Sequence, residues 1–209
     1  MRLAPLLLLL LSLCGLLLPA AASADDWPGP QVREVFSESR EYFVRVIPGR
    51  SIGDSFGFRG MQKGPWAEAE FYRREPDRSY RLVAEATLKN PMAPADFYVS
   101  NEGYLATVDN WHNVGYGKVV TLYDRVGKLV RAYELAELFP AADIKAFPRT
   151  SSSIEWRAGP AFVRGDQRTL LVSARGGDFV FALDNGEYKF CEYQEKSYRC
   201  RSSAEGPKK

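Results

Sequence analysis

Stretches in which apolar and polar residues alternate run through the middle of the chain, and the clearest set lies at residues 97–138. Alternation with a period of two is typical of a strand with one buried face. The stretches predict four consecutive strands, at residues 97–100, 104–109, 119–123 and 129–135. Glycine-bearing turns at 101–103 and 125–128 reverse the chain after the first and third strands, and residues 111–117 form the loop after the second.

The same order of strand, turn and strand occurs on both sides of this unit. The matching segments are residues 35–46 and 67–88 upstream, and residues 162–174 and 178–193 downstream. Asn185-Gly186 in the last segment is typical of a type I′ hairpin turn, in which both central residues need positive φ. The pattern predicts an all-β fold of three four-stranded antiparallel repeats, with a period of about 60 residues.

Two segments of the central repeat resemble a known pattern. SNEGYL at residues 100–105 and LYDRVGKL at 122–129 are similar to the serine-x-x-glycine-tyrosine and tyrosine-aspartate-x-x-glycine-lysine segments of exported β-propellers of the TolB and YVTN kind. The resemblance is best over residues 97–138 and implies a propeller-like fold in which each repeat is one blade. Because a ring typically has four to eight blades, three repeats require a further blade, another way of closing or a second chain. A β-trefoil and a β-sandwich are the alternative folds.

If each repeat is a blade, the loop between its second and third strands lies on the same rim as the connection to the next repeat. These segments are residues 48–66, 88–96, 110–118, 135–161 and 175–177. They contain the residues that we predict to bind a ligand, namely Trp66, Trp111, His112, Tyr116 and Trp156. Tryptophan and tyrosine offer flat apolar surface with a polar group, which suits contact with a glycan or a protein partner. The alternative is that the tryptophans fill the ends of the core.

The N-terminus has the features of a secretory signal peptide. Arg2 precedes the leucine-rich residues 3–18, and small residues lead to a predicted cleavage after Ala24. We therefore expect a secreted or periplasmic protein. We also expect no membrane span, because the apolar run is shorter than the roughly 20 residues that a spanning helix needs. A lipoprotein anchored at Cys14 is the alternative, although bulky Leu13 stands where a small residue is expected.

The rest of the chain is predicted to form a single all-β domain over residues 25–201, with a flexible tail at residues 202–209. The whole chain carries 28 Lys plus Arg against 26 Asp plus Glu, with both signs interspersed. This balance argues against nucleic acid or an anionic membrane surface as a partner.

Export also predicts a disulfide. Cys14 would leave with the signal peptide, and the two remaining cysteines, Cys191 and Cys200, flank a polar segment typical of a hairpin turn. A bridge across this short loop would contribute roughly 2.7 kcal/mol in the chain-entropy description. The pair lacks the C-x-x-C spacing of redox-active thiols.

Candidate catalytic groups are few. His112 is the only histidine and no G-x-S-x-G motif accompanies it, so we assign no catalytic residue and no zinc site. Carboxylates that could serve a glycoside hydrolase are Glu68, Glu70, Asp96, Asp109 and Glu155. Calcium is weakly indicated, because Asp109-Asn110 and Asp184-Asn185 place oxygen ligands at strand ends, although neither pair has the spacing of a calcium loop.

Two functional hypotheses follow. The first is an exported, non-enzymatic binding or interaction module that uses the aromatic residues of the rim and needs no cofactor. The second is an extracellular hydrolase that acts on a glycan or an ester through rim carboxylates or His112.

Overall fold

Three antiparallel sheets follow one another along the chain. The computed structural model describes residues 27–194 and 197–202. The first sheet contains β1 (Arg33–Phe36), β2 (Tyr42–Ile47), β3 (Glu68–Arg74) and β4 (Tyr80–Thr87). The second contains β5 (Pro94–Val99), β6 (Leu105–Asn110), β7 (Lys118–Tyr123) and β8 (Leu129–Glu134). The third contains β9 (Arg157–Val163), β10 (Thr169–Ala174), β11 (Gly177–Ala182), β12 (Tyr188–Gln194) and β13 (Ser197–Ser202).

Helical structure is confined to connections. Two short helices, α1 (Leu135–Leu138) and α2 (Ala141–Ala146), lie between the second and third sheets, and a 3-10 turn (Ile52–Asp54) lies in the loop after β2. No helix among the residues described is both long enough and apolar enough to cross a membrane.

The all-β class and the three antiparallel units are confirmed, but the expected count of four strands is wrong for the third sheet. That sheet gains β13, because the segment after the polar turn continues as a full strand paired with β12. Across the described residues the sheets do not close into a barrel or a propeller ring. The predicted type I′ turn is also wrong, because Gly186 has positive φ and Asn185 does not.

Two hydrophobic clusters hold the sheets together. In the first cluster Val44 and Phe71 of the first sheet pack with Leu105 and Tyr123 of the second. The second cluster joins the second and third sheets and includes the fully buried Trp156. Each sheet therefore buries one face against the preceding or following sheet, and the middle sheet buries both.

The first turns of the three sheets lie close together, on the side of the molecule where the first strand of each sheet ends. Ser39 N donates to Asn101 Oδ1 (2.7 Å), and Asn101 N donates to Gln167 Oε1 (3.0 Å). Gln167 Nε2 in turn donates to Glu38 Oε2 (2.9 Å). These bonds join the first turn of each sheet, and β5 contacts both β1 and β9, so the first strands lie towards a common centre.

The predicted disulfide is present. Cys191 and Cys200 lie directly opposite each other on β12 and β13 and are bonded. The turn residues 195–196 lie outside the described residues, as do the predicted signal peptide at 1–24, with Cys14, and residues 203–209 of the predicted tail. Secretion therefore stays a prediction.

Gly127→Ala tests the stacking of the first two sheets. The added methyl group would lie 2.7 Å from Ala86 Cβ, at a residue with φ of +76°. We expect the free energy of unfolding to fall by roughly 2–4 kcal/mol, from overpacking and backbone strain. Gly176→Ala is the matched control, because Gly176 also has positive φ (+87°) but its added methyl group meets no atom within 4 Å. Urea denaturation measures both variants, and equal stabilities would contradict the contact between the β7–β8 turn and β4.

Removal of the disulfide should also weaken the fold. The Cys191→Ser/Cys200→Ser variant frees the last hairpin in the unfolded chain, and we expect a loss of roughly 2–3 kcal/mol in the free energy of unfolding. Guanidinium denaturation with and without a reductant provides the measurement. A reductant should destabilise the wild type and leave the double variant unchanged. A wild type that is equally stable with and without the reductant would show that the bridge does not stabilise the fold.

Candidate functional site

A cleft of about 870 Å³ opens on the rim formed by the β2–β3 and β6–β7 connections. One wall is the glycine-rich loop, defined as residues 48–66, and the other is the β6–β7 loop, defined as residues 110–118. Trp66 and Tyr116 both line the cleft. The predicted sharing of one rim by these two loops is therefore seen in the structure.

Asp54 organises the glycine-rich loop. Its Oδ2 accepts hydrogen bonds from Ser51 Oγ (2.7 Å) and Trp66 Nε1 (3.0 Å), and Lys63 Nζ lies 2.5 Å from its Oδ1. Hydrogen bonding to Lys63, followed by that to Ser51 and Trp66, lowers the pKa of Asp54 to about 2. The carboxylate therefore stays ionised at physiological pH and fixes the indole of Trp66 at the edge of the cleft.

The two walls contact each other through aromatic rings. The rings of Phe56 and Tyr116 stack with centroids 3.8 Å apart, at an interplanar angle of 8°. Asn113 Nδ2 also donates to Phe56 O (3.2 Å). The glycine-rich loop is thus attached at its tip to the β6–β7 loop, and the cleft lies between this contact and Trp66.

Buried polar side chains hold the backbone of the β6–β7 loop. Asp109 is fully buried, and its Oδ1 accepts from Gly115 N (2.9 Å) and Trp156 Nε1 (2.8 Å). Its Oδ2 lies 2.9 Å from Arg157 Nε. Asn110 Nδ2 donates to Tyr116 O (2.7 Å). These contacts fix the backbone of the loop that presents Tyr116.

Burial determines the ionisation of Asp109. Removal from water raises the pKa of Asp109 to about 6, while Arg157 and the hydrogen bonds from Gly115 and Trp156 act in the opposite direction. A carboxylate with this pKa is largely ionised at pH 7, so its pairing with Arg157 persists there. The protonated fraction of Asp109 therefore rises as the pH falls from 7 to about 4.

The structure divides the predicted ligand-binding residues among three places. Trp66 and Tyr116 share the cleft, and their role as ligand contacts stays a prediction. Trp111 and His112 lie in a separate aromatic cluster with Trp27 and Phe58. Trp156 is 0% exposed and supports the loop from within, so its ring is not available to a ligand.

The N-terminal segment covers Trp111. Trp111 Nε1 donates to Pro28 O (2.9 Å), and a groove of about 320 Å³ separates this segment from residues 93–95. His112 has φ of +66°, and its Nδ1 is buried without a hydrogen-bond partner among the described residues. Neither side chain reaches the cleft between Trp66 and Tyr116.

Basic residues are the part of the site that the sequence did not indicate. The cleft is lined by Arg59, Lys63, Lys89 and Lys118, against the carboxylates of Asp54 and Glu134. The four cations come from the glycine-rich loop, the β4–β5 connection and β7, which are far apart in the sequence. No local charge pattern could have revealed them, because only the fold brings them to one opening.

Comparison with protein-family models and with the sequences of characterised proteins finds no match for this chain. The function must therefore be argued from the geometry of the cleft.

The calcium site suggested by Asp109-Asn110 finds no support in this geometry. Both carboxylate oxygens of Asp109 face donors or Arg157, and the guanidinium would repel a cation. Asn185 Oδ1 accepts from Glu187 N (2.8 Å), which is ordinary turn chemistry. Within residues 27–194 and 197–202 no group of three or more acidic, histidine or cysteine side chains is placed to hold a metal ion.

The candidate hydrolase carboxylates do not converge on the cleft. Asp96 pairs with Arg157 (2.9 Å), Glu155 pairs with Arg175 (3.4 Å), and Glu70 accepts from Tyr72 Oη (2.7 Å). Each of these three has a structural partner, and Asp96 shares Arg157 with Asp109. None of the five candidates, Glu68 included, lines the cleft.

Asp109→Asn tests the ionisation of the buried carboxylate. Because the folded pKa of about 6 lies above the unfolded value, folding disfavours the ionised form, and this group's contribution to stability falls as pH rises from about 4 through 6. Lowering the pH from 7 to 5 should therefore raise the unfolding free energy of the wild type by about 1 kcal/mol relative to Asp109→Asn.

Denaturation curves of both proteins at the two pH values provide the measurement. Asparagine is the suitable replacement, since it tolerates the φ of +59° at this position. A constant difference between the two proteins across this pH range would contradict the raised pKa.

Proposed function

We propose that the protein is an exported, non-enzymatic binding module, and that its ligand is an anionic glycan held in the cleft between Trp66 and Tyr116. The half-buried indole of Trp66 supplies flat apolar surface at one wall, which suits stacking on a sugar ring, and Tyr116, stacked on Phe56, forms the opposite wall. Export is supported by the leader-like N-terminus and by the Cys191–Cys200 bridge, since disulfides persist in oxidising compartments.

The charge of the cleft carries the proposal. Lys63 is paired with Asp54 (2.5 Å) and Lys118 with Glu134 (2.9 Å). Arg59 and Lys89 are exposed and have no ion-pair partner within the part of the chain that the structure describes. The opening therefore has uncompensated positive charge beside aromatic surface, and carboxylate or sulfate groups on a ligand would satisfy it.

A hydrolase has less support. Catalysis by His112 would need a serine and a carboxylate within hydrogen-bonding distance. The neighbours of His112 are instead the rings of Trp27, Phe58 and Trp111. A binding module requires neither group, so it is the function that this geometry favours.

We also propose that the three sheets are blades of the β-propeller kind that residues 97–138 resemble. Supporting this interpretation, the strand order within the first two sheets is that of a simple meander, the first strands lie innermost, and the sheets pack face to face in chain order. The cleft then lies on the rim where a blade carries its second loop.

Affinity electrophoresis tests the ligand. The wild type should be retarded in gels containing polygalacturonate, an acidic polysaccharide, and not in gels containing neutral dextran. Trp66→Ala and Lys89→Glu should each raise the dissociation constant for polygalacturonate by at least about tenfold, because they remove a stacking surface and a free cation.

Trp111→Ala and His112→Ala are the controls. Both residues lie on the same rim outside the cleft, so both variants should migrate like the wild type in polygalacturonate. Equal mobility of the wild type in both gels would contradict an anionic glycan as the ligand. Loss of a measured hydrolytic turnover in His112→Ala would instead favour the hydrolase.

A further inference from the structure

The three sheets can be compared row by row, because each has a corresponding set of directly paired residues across its strands. A row of directly paired residues crosses each sheet beside its first turn, and we call it the rear row. The rear rows are Phe36–Phe43–Tyr72–Leu82, Val99–Leu105–Tyr123–Leu129 and Val163–Leu170–Phe181–Tyr188. In the second and third sheets this row packs against the preceding sheet, through residues such as Leu105 and Leu170 that are fully buried.

A second set of rows lies on the opposite faces, and we call these the front rows. They are Val35–Val44–Phe71–Ala84, Tyr98–Ala106–Leu122–Arg131 and Phe162–Leu171–Val180–Lys189. In the first and second sheets the front row packs against the following sheet. Each internal interface therefore joins the front row of one sheet to the rear row of the next.

Among the residues that the structure describes, two rows have no such neighbour, one on the outer face of the first sheet and one on the outer face of the third. The rear row of the first sheet and the front row of the third lie outside both hydrophobic clusters. Both are nevertheless mainly apolar, with Phe36 and Leu82 each 42% exposed and Phe162 48% exposed. End units of a stacked-repeat protein normally need polar outer faces to stay soluble alone. Here an apolar row interrupts each outer face; on the first sheet it lies beside the ion-paired Glu34, Arg45 and Glu70.

We propose that a second copy of this chain covers both ends. The rear row of the first sheet in each chain packs against the front row of the third sheet in the other, which repeats the contact already made twice within the chain. The proposal rests on the blade interpretation above and not on the identity of the ligand. A head-to-tail contact of this type forms a closed ring when the rotation closes.

The number of sheets and the area both fit a pair of chains. Two chains supply six blades, which lies within the usual range of four to eight, whereas one chain supplies three and three chains supply nine. Four strands about 4.8 Å apart and about 20 Å long present roughly 400 Å² per face. The four faces of the pair would therefore bury roughly 1,600 Å², the size of a standard stable interface.

Light scattering coupled to size-exclusion chromatography tests the proposal on the full exported chain at micromolar concentration. The wild type should have twice the mass of one chain. Phe36→Glu and Phe162→Glu should each give single chains, with the dimer dissociation constant raised at least about 100-fold, because each substitution puts a charge into both contacts of the ring. Val126→Glu is the matched control, since Val126 is 57% exposed on a turn away from both ends, and it should remain a dimer.

The outcomes separate the alternatives. A monomeric wild type overturns the proposal, whether the ends are covered by other parts of the chain or by nothing, and this result does not depend on any variant folding. A dimer that only one of the two phenylalanine variants disrupts means that like faces pair, which also overturns the ring. Trp66→Ala should keep the mass of a dimer, so unchanged polygalacturonate binding in that variant would contradict the proposed ligand without affecting the ring.

Discussion

A single buried carboxylate connects the elements around the candidate cleft. Asp109 is the penultimate residue of β6, accepts a hydrogen bond from Gly115 of the following loop, and contacts Trp156 and Arg157 at the start of the third sheet. Arg157 continues the connection to Asp96 on β5 (2.9 Å). Removal of one partner from such a buried group is costly because the others lose their compensation. The loop that presents Tyr116 is therefore fixed by the packing of two sheets.

The two walls of the cleft differ as a result. The β6–β7 loop rests on buried groups. The glycine-rich loop is closed at its base by backbone hydrogen bonds from Arg50 to Pro65 and from Gly53 to Gln62, and its tip is held by the stacking of Phe56 on Tyr116. The residues around Phe56 are largely exposed, so this tip can move at lower cost than the wall that it faces. A ligand could thus be accommodated by adjustment on one side while the other side fixes its position.

Much of the fold could be predicted from the sequence, because a strand with one buried face leaves a two-residue period, as in residues 104–109. The turns at Gly103 and Gly127 were also visible, since both need positive φ. The hairpin at Cys191 and Cys200 was predicted too, but its second strand was not counted with the third repeat, because the pattern of the other two repeats suggested four strands in each. The packing partner of each sheet could not be predicted, since period two shows that a face is buried without showing what covers it.

The site was less predictable for the same reason. Trp66 and Tyr116 stood out as aromatic residues in loops, and so did Trp156, which proved to be buried beside Asp109. The aromatic residue type is the same in both settings, and only the three-dimensional environment separates a ligand platform from a core residue. Arg59 and Lys89, which have no ion-pair partner among the described residues, line the same cleft although they are 30 positions apart, so the sequence shows no local charge pattern.

Amide hydrogen exchange at Gly115 tests most directly whether the buried carboxylate holds the rim. If Asp109 accepts this N–H as described, the amide should exchange as slowly as those of β6 and β7. It should exchange far faster in Asp109→Gly, which removes the acceptor and tolerates the φ of +59° at this position. An amide of Gly115 that exchanges in the wild type as fast as that of Gly57, in the glycine-rich loop, would contradict the account.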